Sequence, residues 1–187
     1  DLRGGAGILA LFVLAVLARA GPGRRLGRRG RRGGGLRGLC GGDGGGGSGL
    51  MGALADGALG EGGEVVGIIP GFMVDREWGR QDLTELHVVD SMHERKALMA
   101  DLTSAFLALP GGMGTLEEVF EVWTWRQIGL LDKPVGFLDA DGFWTPLLES
   151  LRGISQAGFM SQASLDDVVV APDLATAREA LAAAAED

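Results

Sequence analysis

The chain has 187 residues, enough for one domain with a substantial core, and 46% of them are hydrophobic, which excludes a wholly disordered polymer. Its net charge is −8, but nine arginines against two acids leave residues 1–48 at +7, so the remainder holds −15. An acidic body excludes general nucleic-acid binding by the folded part.

Residues 1–44 do not read as the start of an α/β domain. Residues 8–18 are an unbroken apolar run of eleven. That is too short to span a bilayer. It suits the apolar core of a signal peptide, with Arg3 ahead and Ala18-Arg19-Ala20 behind. From Arg24 to Arg37 arginine alternates with glycine. Such a stretch buries no core and is expected to be disordered, or at most a polyanion-binding arm.

From Gly49 the chain becomes regular. Residues 50–59 read as a helix and Glu64–Pro70 as a buried strand rich in β-branched residues, ended by proline. A loop over 72–82 contains Glu77. A strand over 84–89 leads to a helix over 91–103, and a short apolar strand follows over 104–109. After a Gly-rich turn, Leu116, Val119, Phe120 and Trp123 recur at helical spacing, which predicts a helix over 115–130. Val122 and Trp125 lie off that stripe, so this helix has one face for a sheet and extra apolar area suited to a partner subunit; burial wholly within the chain is the alternative. A strand over 134–138, an Asp141-Gly142 turn, a helix over 143–156, a strand over 167–170 and a helix over 173–185 with Asp173 as N-cap complete the chain. Strand and helix alternate, which predicts an α/β fold with a parallel sheet and helices on both faces.

Two stretches carry chemistry. Leu109-Pro-Gly-Gly-Met-Gly-Thr-Leu-Glu-Glu118 joins a strand to a helix through three glycines. Free N–H groups and the positive end of a helix dipole meet in such a turn, and Gly111, Gly112 and Gly114 let a phosphate approach the backbone. Read structurally, Thr115 and Glu118 have the spacing of a capping box. The second stretch, Asp90-Ser-Met-His-Glu-Arg-Lys96, opens the preceding helix. Ser91 and Glu94 again have capping-box spacing, which leaves Arg95 and Lys96 to explain. Cations so near a helix start oppose the dipole, so a nearby anion accounts for them better; solvated surface charge is the alternative.

Together these stretches resemble the LOG family, the cytokinin-activating phosphoribohydrolases often mislabelled as lysine decarboxylases. The family signature Pro-Gly-Gly-x-Gly-Thr-x-x-Glu is complete at Pro110, Gly111, Gly112, Gly114, Thr115 and Glu118. Met-His-Glu-Arg-Lys stands at 92–96, Gly-Leu-Met-Gly at 49–52 and Thr-Trp at 124–125. The resemblance runs from about residue 45 to the C-terminus. It implies a Rossmann-like nucleotide-binding catalytic domain over 45–187 that works as at least a dimer. It also implies Arg95 and Glu118 as the catalytic pair. Lys96, Gly111, Gly112, Gly114, Thr115, Glu117 and Thr124 would bind the nucleotide. In the family the helix over 50–59 starts at a nucleotide-contacting loop, so Gly47, Ser48 and Gly52 would touch ligand; a helix start with flexible glycines is the alternative. Glu77 matches a substrate-contacting glutamate that the family places 18 residues before its motif arginine; surface charge is the alternative.

The family opens with a strand and a Cys-Gly-Ser-Ser-type loop that are not legible here. Arg/Gly/Ala/Pro bias is what GC-rich DNA yields out of frame, so residues 1–44 are expected to be a frameshifted or misassembled N-terminus; a genuine basic extension is the alternative.

The implied reaction hydrolyses the N-glycosidic bond of a cytokinin riboside 5′-monophosphate, or AMP, to free base and ribose 5-phosphate. It calls for no cofactor and no metal. His87 and His93 are the only histidines, and no Cys/His cluster has metal-ligand spacing. Lys96 and Lys133 are the only lysines, one in an anion-binding context and one before Pro134, so neither suits the Schiff base of a pyridoxal-phosphate decarboxylase. The expected partner is a small nucleotide, without a membrane. Cys40 is the single cysteine, which rules out an intrachain disulfide and fits the cytoplasm. A non-catalytic Rossmann-like nucleotide or cofactor carrier is the alternative, and a polyanion-binding protein resting on residues 19–37 is a third reading.

Overall fold

The computed structural model describes residues 8–12, 16–19, 49–74 and 82–185. The elements are β1 (Ile8–Phe12), β2 (Val16–Arg19), α1 (Gly49–Gly60), β3 (Glu64–Pro70), α2 (Gly71–Met73), β4 (Glu85–Val89), α3 (Met92–Leu102), β5 (Ala105–Ala108), α4 (Met113–Gln127), β6 (Val135–Leu138), α5 (Thr145–Gln156), α6 (Gln162–Asp166), β7 (Val169–Ala171) and α7 (Leu174–Ala184). They group into two compact units. No helix among the described residues is long and apolar enough to cross a membrane.

The first unit holds β2, α1, β3, α2, β4 and α3, with strand order β4-β3-β2. β3 pairs parallel with β4, Ile68 opposite His87, and antiparallel with β2, Gly67 opposite Val16. Val65, Ile68 and Ile69 of β3 are buried, as the β-branched run of this strand requires. A Cβ at Gly67 would meet Leu83 Cδ1 at 2.5 Å, so a larger residue there would displace that side chain.

The second unit is a parallel sheet in the order β1-β5-β6-β7, with Leu11 opposite Leu107, Phe106 opposite Val135 and Phe137 opposite Val170. Every residue of β5 is buried. Helices cover both faces. Successive strand residues point to opposite sides. On one side Phe137 meets Trp123 of α4 edge-on, with ring centroids 6.1 Å apart. On the other, a Cβ at Gly136 would lie 3.3 Å from Leu181 of α7. The Trp123 indole N–H donates to the Ser164 carbonyl, tying α4 to α6. Arg126, in the last turn of α4, forks onto Asp167, and that hydrogen bond is the main reason its pKa is raised.

The α/β alternation therefore stands, with differences at the edges of elements. Within the apolar run read as a signal-peptide core, the described residues are strand: Ile8–Phe12 pairs with β5 and Val16–Arg19 with β3. A short apolar segment is as well satisfied by sheet neighbours as by the apolar core of a leader. The short helix α6 was not anticipated. Val122 is buried within the chain, so that part of the extra apolar face of α4 is not available to a partner.

Candidate active site

The glycine turn lies in the second unit, between β5 and α4. The helix begins earlier than expected, at Met113, with Gly112 as N-cap. Thr115 is thus the third helical residue and not the cap, and the capping box with Glu118 does not form. Thr115 is buried against Gly111, where a Cβ would stand 2.2 Å from the Thr115 hydroxyl oxygen. Around Gly112 and Gly114 a Cβ would meet nothing within 4 Å. Gly112, Met113 and Gly114 are exposed.

The start of α4 differs from that of its neighbours. Ser91 Oγ accepts from the Glu94 N–H at the head of α3, while Glu94 accepts from the Asp90 N–H. That is the expected capping box, displaced by one residue on the return bond. Asp139, at the end of β6, accepts from the backbone N–H groups of Trp144 and Thr145 and from the Thr145 hydroxyl, closing the head of α5. Ser161 caps α6 and Asp173 caps α7. At α4 no side chain caps the turn, and its first turn holds no acid. The first turn of α4 thus opens without a side-chain cap, with Gly112, Met113 and Gly114 exposed at its start.

Glu118 lies on the same helix, about 7.5 Å beyond Met113 along the axis at the rise of an α-helix. It is only 5% exposed, whereas Glu117 is exposed. Thr124 is about 15 Å along the axis from Gly114. Its hydroxyl donates to the Phe120 carbonyl of its own helix at 2.6 Å.

In the first unit, Arg95 and Lys96 follow the capping box on α3 and are 1% and 9% exposed. They are not solvated surface charge. The Arg95 Nε–H donates to the Ile68 carbonyl of β3 at 3.2 Å, and Nη1 donates to Met92 Sδ at 3.8 Å. Glu77, Gly47 and Ser48 lie outside the described residues. Gly52 is buried in α1.

The second unit therefore gathers Gly111, Gly112, Gly114, Thr115, Glu117 and Glu118 around one helix start, with Thr124 further along. The first gathers Arg95 and Lys96. Sequence reasoning assigned no role to Met92 or Asp139. The signal for Met92 was its place three residues before Arg95, one helical turn away.

The family model described as "Possible lysine decarboxylase" matches residues 51–181. The chain belongs to that family. The chain is 48% identical over 122 residues to a cytokinin riboside 5′-monophosphate phosphoribohydrolase of Rhodococcoides fascians, covering 65% of this chain and 62% of that one. Identity to a protein of the same name from Arabidopsis thaliana is 45% over 127 residues, covering 67% of this chain and 58% of the other. With one from Oryza sativa subsp. japonica it is 44% over 127 residues, covering 67% and 51%. The chain thus spans less than two thirds of these relatives. Within the lysine decarboxylase-type family, these members are named for phosphoribohydrolysis. Among the described residues, no group of three or more His, Cys, Asp or Glu is placed to hold a metal ion.

Proposed function

We propose that this chain hydrolyses the N-glycosidic bond of cytokinin riboside 5′-monophosphates, and of AMP, to free base and ribose 5-phosphate. The observation that carries the reading is the uncapped start of α4, followed on the same helix by the buried carboxylate of Glu118. Relatives named for this reaction support it.

In this reading the 5′-phosphate rests on the amides of the Gly111–Gly112 turn and of Gly114 and Thr115. The bond from ribose C1′ to the base nitrogen breaks with its electron pair leaving on the base. Positive charge develops at C1′, and a carboxylate beside it stabilises that charge or takes a proton from the attacking water. Glu118 fills this role, and Arg95 is its catalytic partner as a permanent cation. The water oxygen bonds to C1′ and the base acquires the proton. Lys96, Glu77, Glu117 and Thr124 complete the nucleotide contacts. The scheme needs no metal and no organic cofactor. We further place the protein in the cytoplasm as a homodimer, with Met113, Ile128 and Leu130, exposed at the two ends of α4, as the apolar surface for the second copy.

The test is to incubate the purified full chain with isopentenyladenosine monophosphate and with AMP, and to resolve products by chromatography. Free base and ribose 5-phosphate are expected. A nucleotide that binds tightly and is recovered intact would reject the hydrolase in favour of a carrier.

A further inference from the structure

In the second unit, β5 and β6 are parallel neighbours with Ala108 opposite Phe137, so the loops that follow them leave the same edge of the sheet. One loop is the glycine turn. The other runs from Asp139 to Trp144. Phe137 meets Trp123 of α4 at 6.1 Å and Trp144 at 5.4 Å, so the head of α5 lies on the α4 side of the sheet. Strands are spaced about 4.8 Å and neighbouring helices about 8–10 Å, which sets the two loops within one nucleotide of each other.

The second loop is tightly held. The Asp139 N–H donates to the Ala171 carbonyl, the Gly142 N–H to the Asp139 carbonyl and the Phe143 N–H to the Ala140 carbonyl. The Asp139 carboxylate accepts from Trp144 and Thr145. Asp141 has φ 54°, the one non-glycine residue in the left-handed region among the described residues, and Gly142 follows at φ 72°. Backbone of this kind persists where surrounding bonds enforce it, and it concentrates at binding sites. What the loop presents is Phe143. Its ring stands edge-on to the buried Trp144, with centroids 4.8 Å apart at 88°, and the residue is 48% exposed. An aromatic ring fixed in this way loses little freedom when a ligand covers it. Phe159 is more exposed but lies beyond the far end of α5, about 18 Å along its axis.

We propose that Phe143 is the residue on which the purine ring of the nucleotide stacks, and so a determinant of which bases the site accepts. The inference rests on the proposed seat of the 5′-phosphate at the glycine turn. A phenyl face has no hydrogen-bonding group, so it takes adenine with or without an apolar N6 substituent.

The experiment titrates two ligands by calorimetry into the full chain and three variants. One is the carbocyclic analogue of AMP, which lacks the ring oxygen that assists cleavage at C1′ and so stays intact. The other is ribose 5-phosphate, which has the phosphate and sugar without the base. F143A should weaken the AMP analogue about tenfold, in the range of one lost base–aromatic stack, and leave ribose 5-phosphate unchanged. F143W keeps a stacking face and should hold the analogue within about twofold of wild type. F143L fills space without a π face and should fall between them, which carries the test if F143A fails to fold.

If F143A and F143L bind the analogue as wild type does, Phe143 does not touch the base and the proposal is overturned, while the hydrolase reading stands. If both variants weaken the two ligands alike, Phe143 only holds the loop, and the proposal is overturned in the same way. If wild type binds neither ligand, the phosphate seat and the proposal fall together. If Phe143 governs the analogue but wild type releases no base from AMP itself, the proposal stands and the hydrolase reading falls.

Discussion

Gly111 and Gly112 are neighbours in one turn and are glycine for different reasons. A Cβ at Gly111 would stand 2.2 Å from the Thr115 hydroxyl oxygen and 2.8 Å from its Cβ, so this glycine is demanded by packing. At Gly112 a Cβ meets nothing. Gly111→Ala should destabilise the protein by about 1–3 kcal/mol, the usual cost of overpacking. Gly112→Ala should leave the melting temperature within error and weaken AMP, because its methyl enters the space assigned to the phosphate. Thermal unfolding and AMP titration on both variants separate the two cases; equal melting losses would contradict the distinction. Glu118 is the second residue with a sharp expectation. Glu118→Gln preserves shape and removes the negative charge. Turnover should fall by about two to four orders of magnitude, the span of acid–base and electrostatic catalysis by a side chain. AMP affinity should change little. Unchanged turnover would reduce Glu118 to a buried structural carboxylate.

At the level of elements, glycine ends three helices in the same way. Gly62, Gly129 and Gly158 have positive φ after α1, α4 and α5. In each case the glycine N–H and the next N–H bond back to the last turn, for example Gly129 to the Arg126 carbonyl and Leu130 to the Trp125 carbonyl. This is the Schellman pattern, and it sets where the chain leaves each helix. The starts of α3, α5, α6 and α7 are set by side chains instead. Asp173 Oδ1 accepts from the Thr176 N–H at 2.9 Å, and that backbone hydrogen bond is the first cause of its lowered pKa. A carboxyl held below its unfolded pKa contributes stability above that unfolded value, ordinarily about 3.9, and loses it as pH falls through the folded value. Asp173→Asn keeps a neutral cap. Wild type should therefore melt above this variant at neutral pH, and the gap should close in acid below the ordinary carboxylate range. A gap that stays constant with pH would show that the charge at Asp173 contributes nothing.

At the scale of the whole molecule, residues 8–12 and 16–19 have strand neighbours far along the chain. β1 lies along β5 from Leu9 opposite Ala105 to Phe12 opposite Ala108, and β2 lies along β3. β5 is the strand that delivers the chain to the glycine turn, and it is buried throughout. Deleting residues 1–44 should therefore lower the melting temperature and raise aggregation, since it bares an apolar strand edge. A deleted protein that melts like the full chain would show that these strands add nothing. Association is the second question at this scale. Met113 and Leu130 are 81% and 73% exposed at opposite ends of α4, which leaves apolar surface that a second copy can cover. Light scattering of the full chain at micromolar concentration should give a dimer, and Leu130→Glu should shift it to monomer. A monomeric wild type would reject the assembly.

The sequence by itself determined the order and kind of almost every element after Gly49, because apolar spacing, β-branched runs and glycine punctuation are local signals. It also determined the family, since two motifs of specific spacing stand in the right order, and it marked Ser91 and Asp173 as caps. What it left undecided were questions that a local pattern answers in two ways. Thr115 and Glu118 fit a capping box on paper, but the helix starts at Met113 and both are buried, Thr115 against Gly111. Arg95 and Lys96 look alike whether solvated or buried, and burial, with a hydrogen bond to the Ile68 carbonyl of β3, makes Arg95 an interior cation. An apolar run suits a leader or a strand, and pairing with β5 and β3, far away in the chain, makes residues 8–12 and 16–19 strand. Burial and strand pairing are properties of partners distant in sequence, so only the tertiary structure decides them.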